Sequence, residues 1–156
     1  MICAPERLET LLPDGLRELL RAHWEEAEID RHCVPLAVDW DHYREMEAAG
    51  TYRIISAREG GKLVGYSSFS LTRLARYMNS IVALGDILYL TPEARRGWNG
   101  VRLIRATVNG MKESGAVRAT YGITTTARIG RRGGTVADLL NRMGYPKTGE
   151  TFSWPL

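Results

Sequence analysis

The segment Leu88-Tyr-Leu-Thr-Pro-Glu-Ala-Arg-Arg-Gly-Trp-Asn-Gly-Val-Arg-Leu-Ile104 constrains the fold of this chain more than any other. An apolar strand enters a Pro-Glu turn, passes through a loop with two arginines and two glycines, and continues into a helix. Val101, Ile104, Val108 and Met111 recur at three- and four-residue spacing, which sets them on one helix face. A strand–turn–helix junction of this kind aims free backbone N–H groups and the positive end of a helix dipole at one spot, which makes an anion site. Gly97 and Gly100 let the backbone approach an anion without Cβ interference, and Arg95 and Arg96 add positive charge. The segment therefore predicts a phosphorylated cofactor. It contains no Walker run, and its glycines lack the spacing and early position of a dinucleotide fingerprint.

The remaining sequence sets the frame. At 156 residues the chain is expected to form one domain, 1–156, with a core of its own. With 44% hydrophobic and 25% charged residues, no repeat and no apolar run of membrane-span length, it reads as an ordinary globular domain. The start Met-Ile-Cys-Ala-Pro-Glu has no basic head before an apolar stretch, so no signal peptide is expected. Cys3 and Cys33 fit no metal or redox spacing and imply a reducing, cytoplasmic setting. His32 beside Cys33 is not a nucleophile pair, because adjacent residues on an element point apart. The net charge of +3 suits an anionic cofactor or a nucleic acid and selects neither.

Periodicity gives the order of elements. Residues 2–8 read as a short edge strand carrying Pro5, and Asp14 as the cap of a helix striped by Leu16, Leu19, Leu20, His23 and Trp24. A second helix is expected from Asp39 or Asp41 to Gly50, with Trp40, Tyr43 and Met46 inside. Tyr52–Arg58 and Leu63–Leu71 form a hairpin through Glu59-Gly-Gly-Lys62. Residues 72–80 are a loop or a strand extension over the active side. Ile81–Leu90 is a strand interrupted at Gly85-Asp86, the loop helix runs to Ser114-Gly115, and Val117–Thr125 is the next strand. A basic loop over 127–134 precedes a helix capped by Thr135, and Glu150–Trp154 makes a final strand. The order β-α-α-β-β-β-α-β-α-β implies an α/β mixed, twisted sheet flanked by about four helices, with a parallel crossover from Ile81 to Thr125.

The loop resembles the pyrophosphate loop of the GNAT superfamily of N-acetyltransferases, whose pattern is Gln/Arg-x-x-Gly-x-Gly/Ala. Arg95 matches its first position and Gly100 its last, while Trp98 replaces the middle glycine. Leu63-Val-Gly-Tyr66 is like the third strand of that superfamily, and Leu139-Leu-Asn-Arg-Met-Gly-Tyr145 with Glu150-Thr-Phe is like its C-terminal segment. His23-Trp-Glu-Glu26 and Trp40-x-x-Tyr43-x-x-Met-Glu47 resemble a phage- or prophage-type subgroup of small members. The resemblance implies the acyl-CoA N-acyltransferase (GNAT) fold, acetyl-CoA as cosubstrate, and direct transfer of an acetyl group to an amine. It implies that the amides of Arg96, Gly97, Trp98, Asn99, Gly100 and Val101 hold the pyrophosphate. The pantetheine arm would then pair with Leu88 and Leu90, in a gap where the strands Ile81–Leu90 and Val117–Thr125 splay apart.

An attacking amine must lose a proton, so a base is expected near the thioester. Asp86 is the leading candidate, as base, as substrate ligand or in a structural role: alternation sets it on the face of Leu88 and Leu90, in a strand where a carboxylate is costly. Glu25 and Glu26, at the end of the first long helix, come next, with plain solvent surface as the alternative. Leu140 stands where the superfamily usually has the tyrosine that protonates the thiolate, which leaves Tyr121 and Tyr89 as nearby substitutes or as packed aromatics. The acceptor amine is unspecified. Arg73, Arg76, Arg128, Arg131, Arg132 and Lys147 could meet nucleic-acid phosphates or an acidic protein, or be solvated loop charge. A non-catalytic interaction module and a phage nucleic-acid-modifying relative are the competing classes. Neither a metal nor a membrane is expected, and the chain is read as monomer or homodimer.

Overall fold

The computed structural model describes residues 1–28, 32–123, 128–129 and 134–149. They fall into two compact units, Met1–Gly122 and Ile123–Leu156.

The first unit is a five-stranded sheet in the order β1 (Ile2–Glu6), β2 (Tyr52–Glu59), β3 (Lys62–Thr72), β4 (Ile81–Leu90) and β5 (Ala116–Tyr121). The first four strands run antiparallel, and β5 joins β4 in parallel. The parallel step follows from α4 (Asn99–Glu113), a full helix between the two strands. Gly60 and Gly61, at φ 55° and 84°, form the two-residue turn between β2 and β3, a conformation that glycine adopts without strain.

Helix α1 (Leu8–Leu11) starts earlier than Asp14, the expected cap. It continues through one distorted turn, Leu12–Leu16, into α2 (Arg17–Ala27). Leu8, Leu11, Leu16 and Leu19 form one buried stripe across that turn, and their burial outweighs the breaks at Asp14 and Gly15. Asp14 instead pairs with Arg58, which also holds Glu6 and so ties β1 and the distorted turn to β2. Helix α3 (Trp40–Ala48) is capped as expected, the Asp39 carboxylate accepting from the His42 N–H at 2.9 Å.

Each face of the sheet carries its own core. On one, the α1–α2 leucines pack on Tyr52, Ile54, Leu63, Tyr66 and Tyr89, with Trp40, Tyr43 and Met46 of α3 against them. On the other, Leu103 of α4 packs on Ile55, Phe69, Ala83 and Leu90. Among the described residues no helix is long and apolar enough to cross a membrane.

The second unit contains the short pair β6 (Arg128–Ile129) and β7 (Gly134–Thr135) and helix α5 (Val136–Arg142). Thr135 caps α5 reciprocally with Asp138, as its position before Val136 predicts. Thr125, Arg131, Arg132 and the expected strand Glu150–Trp154 lie outside the described residues.

Candidate functional site

Among the described residues β5 ends midway along β4, and the fork is the point where that pairing stops. Strand β5 pairs with β4 from Ile81 opposite Ala116 to Gly85 opposite Tyr121, and β4 then runs on to Leu90 without β5 beside it. Tyr121 sits in the fork. Its ring covers Gly85, where a Cβ would lie 2.3 Å from the ring carbons. Its hydroxyl donates to the Ile87 carbonyl at 2.8 Å and shares a hydrogen bond with Ser67 Oγ. Burial pushes the phenol pKa up, so it stays protonated and its one proton is engaged.

The loop after β4 is shaped by two short turns. After the single turn Pro92–Ala94, the Arg95, Arg96 and Asn99 amides donate to the Pro92, Ala94 and Arg96 carbonyls. The expected anion-holding set is thereby corrected: the amides of Arg96 and Asn99 are spent inside the loop. Those of Gly97, Trp98, Gly100 and Val101 have no acceptor among the described residues. Helix α4 has no side-chain cap and no acidic residue in its first turn, so its positive end is open to an outside anion. Trp98 has φ −99°, compatible with any side chain, and is 71% exposed, while Gly97 takes the left-handed φ of 54°. Glu59, at the end of β2, accepts from Asn99 Nδ2 and Arg96, both at 2.8 Å, and fixes the underside of the loop. Its role has no signal in the local sequence.

Arg95 does not turn toward the open amides. Its Nε donates to the Leu90 carbonyl at 2.8 Å, its two terminal nitrogens grip the Glu26 carboxylate at 2.6 and 2.5 Å, and its guanidinium lies over the Tyr89 ring. The pair ties α2 to the end of β4. It also commits Glu26, whose carboxyl is held below the ordinary range by the hydrogen bonds from Arg95. Glu25 lines a separate cleft of about 540 Å³ on α2 with Arg17, Arg21, Leu36 and Trp40, to which neither β4 nor the loop contributes. Glu25 therefore lies apart, whereas Glu26 and Asp86 both act electrostatically on His23.

Asp86 sits on a β-bulge. Ser68 of β3 pairs with Ile87 and Phe69 with Gly85, so Asp86 is the extra residue in β4. The insertion breaks the alternation on which its expected direction rested. Leu88 and Leu90 pack toward α4, whereas Asp86 lies on the opposite face, where it acts electrostatically on His23, Tyr43, Tyr52 and Tyr66. The carboxylate is open to solvent on its outer side, yet the protein around it pushes its pKa up, against a lowering by the Ser68 hydroxyl (3.2 Å) and His23. His23 stacks at 5.2 Å on Tyr89, and burial holds its pKa below the ordinary value, so its ring is a neutral proton acceptor at pH 7. The sequence sets His23 in an apolar stripe and in the motif His23-Trp-Glu-Glu26, neither of which assigns it a proton-accepting role.

The fold as a whole is shared with solved structures. A transcriptional regulator from Bacillus halodurans C-125 is 16% identical with a TM-score of 0.73, over 99% of each chain. An aminoglycoside acetyltransferase from an uncultured soil metagenomic sample is 16% identical with a TM-score of 0.71, over 100% of this chain and 99% of the other. The glucosamine-6-phosphate N-acetyltransferase of Arabidopsis thaliana is 13% identical with a TM-score of 0.70, over 99% of each chain. The chain has the acyl-CoA N-acyltransferase fold. No protein-family model and no curated protein matches it.

In this fold the Glu26–Arg95 pair is a testable brace. Because Glu26 has a lowered pKa in the folded state, the pair stabilises fully above the ordinary glutamate range, and its contribution fades as pH falls through the lowered value. Glu26 is 44% exposed, so solvent screening limits the effect. Glu26→Gln is expected to cost roughly 0.5–1 kcal/mol at neutral pH and nothing measurable in acid, by denaturant titration at both.

Proposed function

We propose that the chain is an acetyl-CoA-dependent N-acetyltransferase that moves the acetyl group directly to an amine, with the site carried by one domain, residues 1–156. The observation that carries the reading is the fork: β4 loses β5 after Gly85 and runs on to a loop in which the uncapped start of α4 leaves four amides without an acceptor among the described residues. Gly97, Trp98, Gly100 and Val101 would hold the pyrophosphate of acetyl-CoA through those amides, and Leu88 and Leu90 offer main chain to its pantetheine arm. Acetyl-CoA supplies an activated thioester.

The protein's own part is to bring the amine in and take its proton. The amine nitrogen attacks the thioester carbonyl carbon, a C–N bond forms and the C–S bond breaks. The proton goes to Asp86, with neutral His23 beside it as a second acceptor. The departing thiolate is stable enough to leave without an acid, consistent with Leu140 at the usual tyrosine position and with a Tyr121 hydroxyl already bound. His23 and Tyr43 belong to the two motifs that resemble the phage-type subgroup, and Asp86 acts electrostatically on both. End-to-end similarity to acetyltransferases of the same size supports the single-domain reading.

Acetyl-CoA is expected to raise the melting temperature, since a ligand specific for the native state stabilises it by mass action. Gly97→Val is expected to remove that shift with the fold retained. A Cβ at Gly97 meets nothing within 4 Å, so the cost is backbone strain of about 1–2 kcal/mol that reorients the loop amides. No shift with millimolar acetyl-CoA would favour a non-catalytic interaction module, the reading that the bound Tyr121 hydroxyl and Leu140 otherwise fit.

A further inference from the structure

We propose that the acceptor is a singly charged primary amine with an aromatic or branched apolar body, its ammonium seated at Asp86. The inference rests on the N-acetyltransferase reading and adds the substrate class. Its first support is the bulge, which turns Asp86 out of the ladder and onto the α2–α3 face of the sheet. There the carboxylate's one hydrogen-bond partner among the described residues is the Ser68 hydroxyl, at a long 3.2 Å, which leaves acceptor capacity for a cation.

The second support is independent of charge. Tyr66, only 1% exposed, is the one side chain among the described residues with a buried polar atom and no partner, and its phenol lies within the field of Asp86, Tyr43 and Tyr52. A buried hydroxyl without a partner is costly, and one that met an incoming amine would gain the hydrogen bond it lacks. The rings around it complete the argument. Tyr43 packs on Tyr52 at 4.8 Å and His23 on Tyr89 at 5.2 Å, and ring faces beside a carboxylate attract an ammonium.

Charge disfavours the opposite class. Arg95 is committed to Glu26, so it is not open to a phosphate, and the negative dipole end of α2 lies at that pair. The apolar body follows from Leu84, which precedes Asp86 by two residues on the same face and is 40% exposed. Leu74, Tyr77 and Met78, in the connection from β3 to β4, are exposed as well, alongside Arg73 and Arg76.

The test titrates the full chain, with and without coenzyme A, with 2-phenylethylamine, sisomicin, glucosamine 6-phosphate and a short DNA duplex. Calorimetry reads binding, and amine-dependent release of thiol from acetyl-CoA reads transfer. Phenylethylamine is expected to bind best and to be acetylated. Asp86→Asn should weaken its binding about tenfold or more, with the thermal shift by coenzyme A intact. Tyr66→Phe decides whether the orphan hydroxyl meets the amine: weaker amine binding supports the proposal, and unchanged binding in a more stable protein counts against it. Preference for sisomicin, the sugar phosphate or DNA, or an Asp86→Asn variant that binds phenylethylamine normally, overturns it. If coenzyme A gives no shift, the transferase reading fails, and the titrations without coenzyme A still decide whether the amine site exists.

Discussion

Asp86→Asn is expected to lower acetyl transfer by about 10²–10⁴-fold while leaving the protein as stable as before, or more so, at neutral pH. The two halves have one cause. Protein packed around the carboxylate raises its pKa, so the folded state binds a proton more readily than the unfolded one. Such a group lowers stability as pH rises from its unfolded to its folded value, and the neutral amide escapes that penalty. A carboxylate that solvent can reach and whose pKa is raised by the protein around it is what a base requires, since the raised pKa gives it the driving force to take a proton from an amine. The rising limb of the pH–rate curve should flatten in the variant, with the affinity for acetyl-CoA unchanged. If the limb survives in Asp86→Asn and vanishes in His23→Gln, the imidazole is the base and Asp86 its orienting charge. A variant that unfolds, with normal specific activity in what remains folded, makes Asp86 structural.

The fold was legible because its main features are local. The Gly-Gly turn, the α4 stripe, the caps of α3 and α5 and the crossover each rest on residues close in sequence, where spacing and turn chemistry decide the outcome. The site was legible only as a neighbourhood. Gly85-Asp86 was visible as an interruption of an apolar strand, but alternation cannot count an inserted residue, so Asp86 was assigned to the wrong face. Arg95 looked like a phosphate ligand because its partner, Glu26, is 69 residues away and carries no pairing signal. Glu59 under the loop and His23 beside Asp86 were hidden for the same reason, since each works across elements that come together only in the folded sheet. The start of α1 was misplaced because Pro13-Asp14-Gly15 resembles a helix beginning, whereas four leucines carry the helix through it.

Gly85→Val is expected to produce the largest loss of stability of any single change at the fork, about 3 kcal/mol or more, or roughly 10 °C in melting temperature. The backbone at Gly85 does not require glycine for its angles; it requires the space. A side chain there meets the Tyr121 ring, and the ring cannot swing aside because its hydroxyl is fixed to the Ile87 carbonyl and to Ser67. Either the strands separate or two buried hydrogen bonds break. Tyr121→Ala should recover part of the loss in the Gly85→Val background while costing stability on its own, a coupling that a double-mutant cycle reads directly. Tyr121→Phe then separates wedge from acid. It keeps the ring that covers Gly85 at the last β4–β5 pair and removes only the hydroxyl. If Tyr121 is a wedge, acetyl-CoA still binds and transfer persists in a protein less stable by about 1–3 kcal/mol. If the hydroxyl protonates the thiolate, thiol release falls steeply with cofactor binding intact, and the bond to Ile87 is only the resting position of a catalytic proton.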